Sequence, residues 1–123
     1  MLFLLSIWFL VIIAKAWIES KKNFTNHIPG TIGMVIIGMV LSIINQEAFD
    51  ADYIGTFKFL FLEFSAYWLL FDFAYNSFRG NPLTYIGSTA ETDKTFRMLP
   101  GVYRGEIWLA SKLLLWSISL WIV

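Results

Sequence analysis

Residues 54–78 read IGTFKFLFLEFSAYWLLFDFAYNSF. The stretch is apolar throughout, yet it carries Lys58, Glu63, Asp72 and Asn76, and Arg79 follows it. A bilayer core takes roughly 17–25 helical residues, so this run is long enough to span one. At the helical rise it reaches about 37 Å, which predicts tilt or projection into the headgroup layer. Ionisable side chains are costly inside a span, so each needs a partner or a purpose. On a helical projection Lys58, Ser65, Asp72, Asn76 and Arg79 fall near one line, with Trp68 beside it. Glu63 falls on the opposite side.

Working outward, residues 2–18, 28–44 and 107–123 form three more apolar runs, near the lower length limit. The chain is 58% hydrophobic, 19% aromatic and only 15% charged over 123 residues. Soluble domains carry about 25% charge, and one of this size buries too little surface to hide so much apolar material. Strand alternation is absent, which argues against a lipid-exposed barrel. The expected fold is all-α: one polytopic membrane domain over residues 1–123, a four-helix transmembrane bundle with a short interfacial helix. Residues 2–13 resemble a signal core, and Ala14-Lys15-Ala16 resembles a cleavage site. No basic segment precedes them, so the run reads as an uncleaved first span.

Basic residues predict the orientation. Lys21 and Lys22 lie in loop 19–27, and Arg79, Lys94, Arg97 and Arg104 lie in loop 79–106. Residues 45–53 hold Glu47, Asp50 and Asp52 and no Lys or Arg. The positive-inside rule then makes loops 19–27 and 79–106 cytoplasmic and puts both termini outside. Lys15, Lys58 and Lys112 lie where each can snorkel to an interface. Trp8 falls mid-span, while Trp17, Trp108 and Trp121 fall near span ends.

Asp72, Asn76 and Arg79 sit on one stripe, and Lys112 and Lys15 should reach the same depth from neighbouring helices. One reading is a structural ion-pair cluster at the inner interface. The other is an ion or proton path, or a lipid-headgroup site. Glu63 lies about 14 Å into its span, close to mid-membrane. Tyr67, one turn on, is the expected donor to it. Glu63 is then either bonded within the bundle or to another subunit, or it handles protons or ions. Gly33, Gly38 and Ser42 give the second span a small-residue face suited to close helix packing. In the long loop, Ser88-Thr89-Ala90-Glu91 fits a capping box, predicting a short helix over 90–99 that stops at Pro100-Gly101. Phe96, Met98 and Leu99 should dip into the interface, with Asp93, Lys94 and Arg97 facing water. An ordinary hairpin touching another subunit is the alternative.

The string Asp72-x3-Asn76-x2-Arg79-Gly80, then Tyr85-x-Gly87-x-Thr89 and Asp93, resembles a pattern in small uncharacterised multi-span membrane proteins of Bacteroidetes and their phages. The resemblance covers about a quarter of the chain. It implies a bacterial inner membrane or a virion membrane and carries no activity.

Cysteine is absent and His27 is the single histidine, so no metal or cofactor site is expected. No phosphate-binding loop or catalytic motif is present. The balanced charge gives no pull toward nucleic acid, and no small-molecule substrate is evident. Asn23-Phe24-Thr25 is formally a glycosylation site, but falls on the predicted cytoplasmic side. The expected function is a non-catalytic membrane subunit, in the bilayer and assembled with itself or other membrane proteins. The alternatives are a holin-like pore or lysis protein, and a small ion or proton conductor using Glu63 and Asp72.

Overall fold

A computed structural model describes residues 1–21, 28–50, 52–86 and 91–123. Lys22, the 23–25 sequon, His27, Gly87 and the 88–90 part of the capping box lie outside the described residues. The described residues form five helices and no strand: α1 (Leu2–Ser20), α2 (Ile28–Phe49), α3 (Tyr53–Arg79), α4 (Glu91–Arg97) and α5 (Arg104–Ile122). Three helices, Leu2–Ser20, Gly30–Phe49 and Tyr53–Arg79, are long and apolar enough to cross a membrane. α5 is of similar length, but Glu106, Lys112, three Ser and three Trp dilute its apolar content.

Local chemistry sets the limits of α3. Asp52 is its N-cap, and the carboxylate accepts from the Gly55 N–H at 2.7 Å. At the other end Gly80 takes a left-handed φ of 69°. The Asn81 N–H then reaches back to the Asn76 carbonyl at 2.9 Å, closing a Schellman-type cap. Asp50 ends α2 with φ 51°, a conformation Asp tolerates better than most residues. The 80–86 segment folds back along α3, because the Asn76 side-chain amide donates to the Tyr85 carbonyl at 3.1 Å.

α3 is the hub. It packs most extensively on α1, then on α5 and α2, while α1 and α2 touch each other only slightly. Among the described residues α5 meets α3 and α4 but neither α1 nor α2, so the helices are arranged around α3 as their shared axis. Cross-helix bonds give the directions. Trp8 meets Glu63 and Arg79 meets Ser20, so α1 runs parallel to α3. Ser42 meets Glu63 and Gly30 lies against Lys15 and Glu19, so α2 runs opposite to both. Ser119 meets Ser65 and Lys112 meets Asp72, so α5 also opposes α3. The core holds Leu4, Leu5, Trp8, Ile12, Met34, Leu41, Phe59, Leu62 and Ala66. Large apolar side chains cover the outside as well. On α2 they are Ile32, Ile36, Ile37, Met39, Val40, Ile43 and Ile44. A surface of that kind suits lipid rather than water.

Candidate functional site

The polar groups of the interior gather on opposite sides of α3. On the α1–α2 side, Glu63 is 0% exposed. Its Oε2 accepts from the Ser42 hydroxyl at 2.8 Å, and its backbone carbonyl accepts from the Trp8 indole at 2.7 Å. Gly38 makes the space for this meeting. A Cβ there would lie 3.5 Å from the Trp8 ring and 3.6 Å from Glu63 Oε2. A small residue on α2 therefore lets two helices reach one carboxyl. The other carboxyl oxygen, Oε1, is buried without a partner among the described residues.

Two expectations about this region, for Tyr67 and Gly33, need correction. Tyr67 does not serve Glu63. Its ring instead packs against Trp8 and Phe71, with centroids 6.3 and 5.5 Å away. Ser42 is a hydrogen-bond donor as well as a small packing residue. Gly33 is no close-approach point, because a Cβ there would meet nothing within 4 Å. The α2 glycine that does sit tightly is Gly30, where a Cβ would come 2.8 Å from Glu19 Oε1.

On the α5 side, Lys112 is 1% exposed and its ammonium is fully committed. It pairs with Asp72, donates to the Trp68 carbonyl at 3.1 Å, and lies 3.9 Å from the Trp108 ring centroid. Carboxylate and aromatic faces together replace the water a buried ammonium loses. Two turns further along the same seam, near the end of α5, the Ser65 and Ser119 hydroxyls meet at 2.7 Å. Both also lie within bonding distance of a backbone carbonyl in the preceding turn, Leu62 at 2.9 Å and Trp116 at 2.7 Å. Two hydroxyl protons serve three contacts, so one hydroxyl gives up its backbone bond to make the bridge.

The expected single cluster of Asp72, Asn76, Arg79, Lys112 and Lys15 is in fact distributed. Lys15 lies on the α1 side, paired with Glu19 at 2.5 Å and 4.3 Å from the Phe71 ring centroid. Arg79 donates to the Ser20 carbonyl at 3.2 Å, and Asn76 holds the Tyr85 carbonyl. The Lys15–Phe71 and Arg79–Ser20 contacts tie α3 to α1, and the Asn76 bond ties it to the 80–86 segment. Asp93 also departs from expectation. It is buried rather than water-facing, and it accepts from the Trp108 indole at 2.9 Å, fastening α4 to α5. The sequence signal for the Trp8 and Trp108 bonds was present but undirected. A buried indole N–H needs an acceptor, yet nothing in the string says which one. No protein family, curated protein or solved structure matches the chain.

Proposed function

We propose that the chain is a non-catalytic integral membrane subunit with four membrane-crossing helices, assembled with itself or with other membrane proteins. The observation that carries this reading is the use of the buried polar groups. Trp8–Glu63–Ser42 joins three helices, and Ser65–Ser119, Lys112–Asp72 and Trp108–Asp93 each join two. Groups spent on one another are suited to holding helices rather than to conducting or catalysing. α5 supplies the fourth crossing in this reading. Its antiparallel course along α3 and its exposed Leu113, Leu114, Ile118, Leu120 and Trp121 support it. The orientation keeps Lys21, Arg79, Arg97 and Arg104 cytoplasmic and Glu47, Asp50 and Asp52 outside. The outward apolar face of α2 is the surface on which neighbouring helices would pack. The resemblance to membrane proteins of Bacteroidetes and their phages fits a bacterial or virion membrane.

A second reading, proton handling at Glu63, is favoured by its buried Oε1, which has no partner among the described residues. Flux measurements separate the two. The purified chain in liposomes should pass neither protons nor small dyes, and Glu63→Gln and Asp72→Asn should change nothing. Proton flux lost in Glu63→Gln would establish the second reading, and dye release would point to a pore.

A further inference from the structure

The stretch Arg97-Met98-Leu99-Pro100-Gly101-Val102-Tyr103-Arg104 places uncharged, mostly apolar residues between two arginines. α4 ends at Arg97 and α5 begins at Arg104. The Arg104 Nη1 donates to the Arg97 carbonyl at 3.2 Å, which closes the loop at its base. Gly101 turns the tip with φ 104°. The Trp108–Asp93 bond holds the two flanking helices together. The apolar side chains nevertheless point away from the body: Met98 is 83%, Val102 84% and Tyr103 69% exposed. A loop braced at its base with an uncovered apolar tip is costly in water.

Its position in the fold says what covers it. Gly105 lies against Thr84, so tightly that a Cβ would strike the Thr84 carbonyl. Tyr85, the next residue, is held by Asn76 in the last turns of α3. The base of the loop is therefore level with the end of α3, where Arg79 reaches Ser20. That is the headgroup level on the side rich in basic residues. A groove of about 270 Å³ opens there, lined in part by Thr84, Tyr85, Ile86, Arg97, Arg104 and Glu106.

We propose that the 97–104 loop is a binding site for anionic phospholipid. Met98, Leu99, Val102 and Tyr103 lie against the headgroup layer of the cytoplasmic leaflet. The Arg97 and Arg104 guanidiniums hold the lipid phosphate at the groove, with the planar fork geometry suited to phosphate oxygens. Glu106 lines the same groove and opposes an anion, and the two arginines outweigh it. The anionic character of that leaflet supplies the complementary charge. The inference rests on the membrane-crossing reading of α5, and its test is built to fail separately from that reading.

The chain has no cysteine, so single probes can be placed without other changes. Val102→Cys and, separately, Leu114→Cys on the exposed face of α5 carry an environment-sensitive fluorophore in full-length protein in phosphatidylcholine nanodiscs. Nitroxide-labelled phosphatidylglycerol and phosphatidylcholine are titrated in turn. The Val102 probe should report about fivefold tighter association of phosphatidylglycerol, the effect of roughly one net basic contact. The preference should fall to parity in Arg97→Gln, which leaves the Arg104 brace on the Arg97 carbonyl intact, and rise in Glu106→Gln, a change that a merely structural loop would not show. Equal quenching by both lipids overturns the site. So does a Val102 probe quenched only by aqueous iodide, or one shielded from iodide and lipid alike by a protein neighbour. In each of those cases a Leu114 probe quenched by deep nitroxide lipid leaves the α5 crossing standing. A Leu114 probe reached only by iodide overturns the crossing itself.

Discussion

Glu63 illustrates how one residue joins three helices. Its carboxyl takes a hydroxyl from α2, and its peptide carbonyl takes an indole from α1. Ser42→Ala removes the only donor to the carboxyl among the described residues. Hydrogen bonds between membrane helices are worth about 0.6 kcal/mol on average and about 1.7 at most. Glu63 is wholly buried, so the loss should lie toward the upper figure, read as a lowered unfolding free energy in mixed micelles. Asp72 and Lys112 set a sharper test. Asp72→Ala alone strands a buried ammonium and should cost about 3–5 kcal/mol. Adding Lys112→Met removes the stranded charge and should recover most of that loss in the same assay. A double variant as unstable as the single one would show that the ion pair is not what stabilises the α3–α5 seam.

Element by element, the tolerance of each glycine follows from its measured clearance. At Gly38 an added Cβ meets Trp8 at 3.5 Å, an ordinary contact, so Gly38→Ala should keep the melting temperature within a few degrees. Gly38→Leu has no room beside Trp8 and Glu63 and should separate α2 from α1 and α3. At Gly105 the obstacle is the rigid Thr84 carbonyl rather than a flexible side-chain end. Gly105→Ala should therefore displace the 80–86 turn from α5 and expose the 97–104 loop to proteolysis, which limited digestion would reveal. The same loop gives α4 its place. Its seven residues are too few for a stable isolated helix, and the Asp93–Trp108 bond supplies the anchor.

At the level of the whole molecule, the alternation of charge predicts a labelling pattern. Cysteines at Lys21 and Arg97 should react with impermeant reagent only from the cytoplasmic side, and one at Asp50 only from outside. Labelling of Lys21→Cys and Arg97→Cys from opposite sides would overturn the topology. The molecule also has an open form. α3 contacts α1, α2 and α5, whereas α2 and α5 each present a broad apolar face outward. Cross-linking through Ile36→Cys or Ile43→Cys on α2 should capture a neighbouring chain if that face packs in an assembly.

Much of the helical framework was legible before any coordinates. The sequence by itself determined three apolar helices of spanning length. Hydrocarbon thickness and the need to satisfy every backbone group act on each segment separately and leave their mark in composition. It also marked polar residues that needed partners: Glu63, Asp72 and Lys112. Only the tertiary structure decided who those partners are. Ser42 rather than Tyr67 meets Glu63, Asp93 turns inward to Trp108, and Lys15 and Lys112 fall on different sides of α3. The reason is rotational. A helix apolar on nearly every face carries no strong periodic signal of which side turns inward, so pairing is set by helix rotation and relative depth. Those quantities depend on where neighbours can approach closely, as at Gly30, Gly38 and Gly105, and exist only once the helices have packed.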